Sequence, residues 1–340
     1  MLQGVADAQD EFNNERRKNQ NHSLLEIVIA NDSNEGLLAK NVAKKLADDI
    51  SILGIIGHHV SESSQVALDI YKKVNLPVVS STSSSSKLKS DNFFRTVSST
   101  QKASDLYFKY VTQVLKLKLK DVAIFYTQGS AYSKSIGDTF IKAFNEDPQK
   151  VKTFTLGSIY ESESLLNIKN TIEEIIGKKY KAVLLLSSAK TNSGTIAFAK
   201  ENNKLPTARL QLLGSMALAE AATLRKGGKD IEGMILASPC VNQESAYMKE
   251  AAKRWQEEVY WRVATSYDAA QALIEAIRLS KEPTRQEIFN KLQNLTLPPA
   301  KTSGLGLQWS KEDLNYNTNS QRPYCLFKIE NNKFIEIPSE

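Results

Sequence analysis

An apolar run, Leu76-Pro77-Val78-Val79, ends in seven consecutive hydroxyl residues, Ser80 to Ser86. Hydroxyls, with free backbone N–H groups beside them, can bind a carboxylate or another acceptor without bringing a charge of their own. That chemistry needs the run at the carboxyl end of a buried parallel strand, the edge where open α/β sheets bind ligands. A flexible serine-rich linker has the same composition. Against a linker, the run follows the apolar stretch directly and leads into Asn92-Phe93-Phe94-Arg95-Thr96-Val97. Other reactive material is scarce. Three histidines (His22, His58, His59) and two cysteines (Cys240, Cys325) without CxxC spacing give no basis for a metal site. No GxSxG, GxGxxG or Walker sequence is present, so no catalytic residue and no cofactor is assigned. Ser61 beside His58 or His59 is the one nucleophile–base pairing hinted at, and no orienting acid accompanies it.

The hydroxyl run is framed by alternating strands and helices. Leu24–Ala30 reads as a strand and Leu37–Asp49 as a helix with Leu38, Val42 and Leu46 on one face. Strand Ile52–Ile56, helix Ser63–Lys73 and strand Leu76–Val79 close this half. The alternation repeats after residue 100: helix Ala103–Lys116, strand Val122–Tyr126, helix Ser133–Asn145, strand Lys152–Leu156 and helix Ser164–Gly177. Strand Ala182–Leu186, helix Ser193–Asn202, strand Leu210–Leu213, a short helix near Leu218–Arg225 and strand Ile231–Ala237 continue it. Such alternation implies parallel sheets with helices on both faces. Three helices follow, Ser245–Glu257, Ser266–Ser280 and Arg285–Leu292, which pack on a lobe already built. Cys325–Ile329 and Lys333–Ile337 form a hairpin around Asn331-Asn332. A chain that builds one lobe, then another, then returns to the first makes a hinge with a cleft.

Composition narrows the function classes. At 340 residues the chain suffices for two domains, and 41% apolar with 24% charged residues is ordinary for a globular protein. A net charge of +6 with scattered lysines does not indicate nucleic acid. Lys116, Lys118 and Lys120, alternating with leucines, read as a solvated helix end. No apolar run reaches the roughly 20 residues of a membrane span. The sequence at Met1 is not a signal peptide, which fits a cytosolic protein or a mature or truncated form of an exported one.

Several segments, taken in order, carry a family resemblance. They are Gly57-His58-His59-Val60-Ser61-Glu62-Ser63-Ser64-Gln65, Asp69-Ile70-Tyr71, Pro77-Val78-Val79-Ser80 and Phe94-Arg95-Thr96, then Ala131-Tyr132-Ser133, Ile231-Glu232-Gly233-Met234 and Ala264-Thr265-Ser266-Tyr267-Asp268-Ala269. Together they resemble the substrate-binding proteins of branched-chain amino acid ABC transporters, within the wider family of extracellular ligand-binding receptors. The resemblance covers nearly the whole chain. It implies a type I periplasmic binding protein: two doubly wound parallel-sheet lobes joined by a three-strand hinge. The N-terminal lobe would take residues 1–97 plus 242–322, and the C-terminal lobe 98–241 plus 323–340, with the ligand cleft between them. Crossings near Thr96–Thr100, Pro239–Asn242 and Pro323–Phe327 would put Cys240 and Cys325 on two hinge strands; whether they bridge stays open. The family also begins with a strand before the first helix. This chain starts inside that helix, so the first strand of the N-terminal lobe is expected to be missing, through absent upstream residues or a truncated reading frame.

The resemblance assigns site residues one by one. Ser61 would meet the ligand carboxylate, and Thr82, Ser83 and Ser84 would bind carboxylate and amino group through backbone and hydroxyl. Tyr132 would cover the ligand from the second lobe. Ser61 and Ser63 also fit as caps of the following helix, and Tyr132 as a helix-start packing residue. Where amino-acid binders of this family place an acid in the second lobe, this chain has Leu213-Gly214-Ser215-Met216-Ala217. Ser215 and, one helical turn on, Glu220 are the candidates there. Either Glu220 or another acid takes the pairing role, or the ligand is not a free amino acid, because a buried ammonium needs a counter-charge. Lys190, after strand Ala182–Leu186, would favour an acidic ligand if it faced the cleft. The implied function is extracytoplasmic solute binding for ABC-type uptake of a small amino acid or related carboxylate, without enzyme activity. The alternative is a ligand-sensing domain of a larger receptor. Its partners would be that small molecule and an ABC permease or a fused output domain. The protein would be periplasmic or otherwise extracytoplasmic, peripheral to the membrane, and would bind no nucleic acid.

Overall fold

Val78 and Val79 face opposite sides of one sheet, because side chains alternate along an extended strand. Val78 packs with Ala67, Leu68 and Tyr71 on one side. Val79 packs with Ala269, Ala272 and Leu273 on the other. A strand covered on both faces must be apolar throughout, which is why Leu76–Val79 has no polar residue. These contacts come from a computed structural model that describes all residues except 21–22, 158–163, 206–208, 313–315, 320–321 and 339–340.

Along the chain α1 (Leu2–Lys18), α2 (Gly36–Asp48), β1 (Ile55–Ile56), α3 (Ser61–Lys73), β2 (Val78–Ser80) and β3 (Phe93–Arg95) come first. Next are α4 (Thr100–Lys109), β4 (Val122–Thr127), α5 (Ala131–Ala143), β5 (Phe154–Leu156) and α6 (Ser164–Gly177). Then come β6 (Ala182–Leu186), α7 (Asn192–Asn203), β7 (Gln211–Gly214), α8 (Ala221–Gly227) and β8 (Ile235–Pro239). The chain continues through α9 (Ala246–Trp255), α10 (Trp261–Arg278), α11 (Arg285–Gln293), β9 (Thr296–Leu297), β10 (Leu307–Glu312) and β11 (Tyr316–Asn319). Hairpin β12 (Tyr324–Glu330) and β13 (Lys333–Ile337) follows, its turn residues Asn331 and Asn332 both at positive φ. The chain divides into unit 1, Met1–Ser99 with Cys240–Pro323, and unit 2, Thr100–Pro239 with Tyr324–Glu340.

Unit 1 holds a six-stranded sheet in the order β1-β2-β3-β11-β10-β9. β1, β2, β3 and β11 are parallel, while β10 and β9 turn back antiparallel. Helices α2 and α3 cover one face and α10 and α11 the other. α1 lies on α10, and no residue but glycine fits at the closest approach: a Cβ on Gly4 would sit 2.3 Å from the Val263 carbonyl oxygen. Asp7 anchors the same helix, accepting from Tyr247 Oη (3.0 Å), Arg254 Nη1 (3.0 Å) and Trp255 Nε1 (3.2 Å). Unit 2 holds a seven-stranded sheet, β13-β12-β8-β7-β6-β4-β5. β5, β4, β6, β7 and β8 are parallel and the β12–β13 hairpin joins antiparallel to β8. Every residue of β6 is buried.

Three expectations change. Leu24–Ala30 is not a strand. Backbone groups need ladder partners to form one, and no hydrogen bond reaches the Glu26–Ala30 backbone among the described residues. The segment is held at Leu25 by Asn13 and Gln9 and at Asp32 by His58, leaving Val28 56% and Ile29 70% exposed. β1 is the terminal strand of its sheet among the described residues. Second, β3 and β9–β11 complete the unit 1 sheet, and both sheets are mixed rather than wholly parallel. Third, α4 passes into a π-turn at Tyr110–Val114, so Lys116, Lys118 and Lys120 lie exposed beyond the helix rather than on its end. The question left open for the cysteines is answered: both Cys240 and Cys325 are disulfide-bonded.

Candidate functional site

The hydroxyl run is not a linker. Ser80, Ser81, Ser83, Ser84 and Ser85 are fully buried and Thr82 is 5% exposed. The run leaves the carboxyl end of β2 and wraps against the first turn of α3. Thr82 Oγ1 donates to the His59 carbonyl (2.7 Å) and Ser83 Oγ to the His58 carbonyl (2.9 Å). The Ser83 N–H donates to Ser80 Oγ (3.0 Å), and Ser64 Oγ pairs with Ser83 Oγ (2.7 Å). Ser61 Oγ accepts the Ser85 N–H (3.2 Å). Ser61 is the first helical residue and not a cap; Val60 holds the cap position and no side chain caps the helix. Below the loop, the fully buried Arg95 donates Nη1 to the Ser85 carbonyl (3.1 Å).

Ser61, Thr82, Ser83 and Ser84 are therefore brought together, but they are not equivalent. Thr82 and Ser83 spend their hydroxyl protons on the loop itself. The Ser81 and Ser84 hydroxyls are buried and make no hydrogen bond among the described residues. Buried polar atoms in that state are uncommon, and each calls for an explanation such as a bound ligand. Ser81 was not singled out from sequence; its place inside the run was the available signal. Trp261, 2% exposed at the start of α10, likewise has an Nε1–H without a partner. Thr96, just past β3, donates to the Thr265 carbonyl (2.8 Å), which sets the start of α10 at this same sheet edge.

His58 and His59 are held by the fold. His58 Nδ1 meets Asp32 Oδ2 at 2.6 Å and Nε2 meets Tyr71 Oη at 3.0 Å. Burial raises the Asp32 carboxyl, but His58 and the Asn34 N–H outweigh it and hold it below the usual range. Burial first, then Arg262 and the α-amino group, push His59 down to about 4. The unfolded chain therefore takes up a proton near pH 6.5 that the folded chain refuses until about pH 4. Stability is expected to fall as pH drops through that window, by at most about 3 kcal/mol. Urea titrations at pH 7 and pH 4.5 check it: His59→Gln should lose most of the difference between the two, and an undiminished difference refutes the assignment.

In unit 2 the carboxyl strand ends carry a second hydroxyl set. Ser133 Oγ donates to the Leu186 carbonyl (2.7 Å) and Thr127 Oγ1 pairs with Thr191 Oγ1 (2.7 Å). Ser215 Oγ donates to the Ser187 carbonyl (2.7 Å) and caps the 3₁₀ turn Met216–Leu218. Tyr132, 7% exposed on the first turn of α5, lies toward this turn. Burial pushes its phenol well above its ordinary value, Tyr324 and Tyr107 add to the rise, and Ser215 and the Met216 N–H pull it down. Glu220 is half-buried in the cap position of α8. Lys190 is exposed. Thus Tyr132 and Ser215 are neighbours, and Glu220 follows on the same loop.

Residues 1–330 match the periplasmic binding protein family. The chain belongs to that family. Among solved structures, this periplasmic binding protein is similar to the leucine-binding protein LivK of Thermotoga maritima (TM-score 0.77, 14% identity, 99% of this chain and 92% of that one). It is similar to LivJ of Streptococcus pneumoniae in complex with isoleucine (TM-score 0.77, 15% identity, 98% and 94%). A solute-binding protein of R. palustris in complex with 4-hydroxybenzoate aligns equally well (TM-score 0.76, 16% identity, 100% and 90%). No curated protein matches the sequence. The type I periplasmic binding protein fold and a solute-binding role follow for this chain; these relatives differ in ligand. Among the described residues no helix is long and apolar enough to cross a membrane.

Proposed function

We propose that this periplasmic binding protein takes up a small amino acid or related carboxylate outside the cytoplasm and delivers it to an ABC permease. The observation that carries the reading is the buried loop Ser80–Ser85, with the Ser81 and Ser84 hydroxyls free of partners among the described residues. Two hydroxyl donors, held by a fixed loop at a sheet's carboxyl edge, suit an acceptor-rich ligand group. Ser61, Thr82, Ser83 and Ser84 form the unit 1 part of the proposed site, and Tyr132, Ser215 and Glu220 are proposed to meet the same ligand. Ligands of the structural relatives, isoleucine in one and 4-hydroxybenzoate in another, share a carboxylate and fit this class. The disulfide-bonded cysteines accord with an oxidising compartment.

A thermal-shift screen against amino acids, 2-oxo acids, amides and aromatic acids tests the reading. A ligand at 100 times its Kd stabilises by about 2.7 kcal/mol, a shift of several degrees. For the ligand so found, Ser84→Ala and Tyr132→Ala should each weaken binding about tenfold or more, the loss expected for one hydrogen bond to a charged group or one buried ring. Affinities within twofold of wild type for both variants would remove the proposed site.

A further inference from the structure

The net charge of the chain is not shared between its units. Unit 1 holds 22 Lys and Arg against 22 Asp and Glu, and unit 2 holds 22 against 16. The whole excess of +6 therefore lies on unit 2. Much of it gathers at one edge of the unit 2 sheet. The Lys181 N–H donates to the Asp121 carbonyl (2.9 Å) and the Gln211 N–H to the Lys181 carbonyl (3.0 Å), so the amino ends of β4, β6 and β7 lie side by side. Lys116, Lys118 and Lys120 lead into β4, Lys179 and Lys181 into β6, and Arg209 into β7. All six are exposed, and none forms an ion pair among the described residues. Asp121 and Glu174, acids of the same edge, are committed: Asp121 accepts the Lys118 N–H (2.9 Å), and Glu174 pairs with Lys152 and Lys178. Helix termini favour basic residues, but these six lie beyond the helices, on the approaches to strands.

Charge complementarity calls for an anionic occupant, and the side chains between the lysines decide which kind. Leu115, Leu117 and Leu119 alternate with Lys116, Lys118 and Lys120. These leucines are half-buried, and Val114 just before them is 62% exposed. Lysines that reach phosphate groups while neighbouring apolar side chains rest at headgroup level suit a membrane interface. A single-stranded nucleic acid would call for aromatic or guanidinium planes between the charges, and residues 114–120 contain neither. We propose that the amino edge of the unit 2 sheet is a docking surface for a bilayer containing anionic phospholipid. Thr127 and Ser215, of the second hydroxyl set, sit at the opposite, carboxyl ends of the same strands. β4 alone, at six residues, separates the two edges by about 20 Å. Unit 2 can therefore rest on lipid with its carboxyl edge uncovered. Such docking is separate from the solute-binding reading and does not depend on it.

Co-sedimentation of the full chain with vesicles tests this. Phosphatidylcholine vesicles with about one third phosphatidylglycerol should bind the protein at low salt, and phosphatidylcholine alone should bind it at least roughly tenfold more weakly. Binding should be lost near 1 M salt, where the screening length is about 3 Å. Lys116→Gln, Lys118→Gln and Lys120→Gln together should weaken it roughly 30-fold or more, since each basic side chain near an anionic surface contributes about fivefold. Lys40→Gln, Lys44→Gln and Lys45→Gln, at exposed positions of α2 in unit 1, remove the same charge and should change binding less than about threefold. Should the first triple variant fail to fold by circular dichroism, Lys179→Gln with Lys181→Gln is expected to cost about tenfold. Equal losses from the two triple variants would reduce the effect to net charge and overturn the assignment, as would equal binding to neutral and anionic vesicles. No vesicle binding overturns it as well; salt-sensitive retention on immobilised polyglutamate would then assign the edge to an acidic protein surface.

Discussion

Asp268→Ala should lower the stability of the protein by about 3–5 kcal/mol, because it strands a guanidinium that no water reaches. Arg322 is 1% exposed and its side chain, like that of Asp268, has no accessible surface. Nη2 meets Asp268 Oδ2 at 2.6 Å and Nη1 donates to the Cys240 carbonyl at 2.6 Å. Asp268 is also held by the Ser303 N–H (2.6 Å) and Ser303 Oγ (3.1 Å). The carboxylate therefore ties α10, the loop at Ser303 and the segment before β12 into one cluster. Removing it leaves a buried charge with hydrogen bonds and no counter-ion. Urea unfolding should give a lower midpoint with an unchanged slope, and heating a loss of roughly 5 °C. Replacing both partners, Asp268→Leu with Arg322→Met, should cost less than the single change, since a buried pair is often neutral against apolar residues of similar size. A single-variant loss under about 1 kcal/mol would show that Arg322 is hydrated. Asp268 stood in the sequence only as part of Tyr267-Asp268-Ala269; its role depends on partners from Cys240, Ser303 and Arg322, far apart in the chain.

That contrast between local and distant dependence explains what the sequence made legible. Strands such as β4, β6 and β8 are buried and apolar along most of their length, so they announce themselves. The β12–β13 hairpin was readable from Asn331-Asn332, whose left-handed conformation suits asparagine. Leu24–Ala30 has the composition of a strand but no neighbour to pair with, and composition cannot report a missing neighbour. The reverse holds for β3. Phe93-Phe94-Arg95 is too short to show periodicity, and it is a strand because β2 and β11 lie on either side of it. In β9–β11 the strands are set by pairing register, which local sequence does not encode.

The candidate site divides in the same way. The hydroxyl run was visible because its composition is unusual and its flank is apolar. Which hydroxyls stay uncommitted was not, since that depends on the carbonyls of His58 and His59 arriving from another strand-to-helix turn. Glu220, the acid that the family pattern pointed to, sits half-buried in a cap position, and its proximity in sequence to Ser215 was the whole of the signal.

The disulfide carries an effect of comparable size on the unfolded chain. Reducing it, or replacing both residues by alanine, should cost roughly 4 kcal/mol, since the loop between residues 240 and 325 approaches the length for which chain entropy gives about 4.7 kcal/mol. The folded side of the balance should change little. Cys240 N–H donates to the Pro323 carbonyl at 2.9 Å, and Cys325 stands in register with Ser238 in the β8–β12 ladder. Those backbone bonds hold both positions whether or not the sulfurs are joined. Cys240→Ala with Cys325→Ala should therefore keep the native circular dichroism spectrum while melting several degrees lower. Wild-type protein made in a reducing cytoplasm, with both thiols titratable, should melt with the double variant; protein exported to an oxidising compartment should melt higher and show no free thiol. Equal melting of all three within a degree would mean that the unfolded chain is already confined by residual structure. The comparison also bears on the proposed extracytoplasmic location, a setting in which such a bond persists.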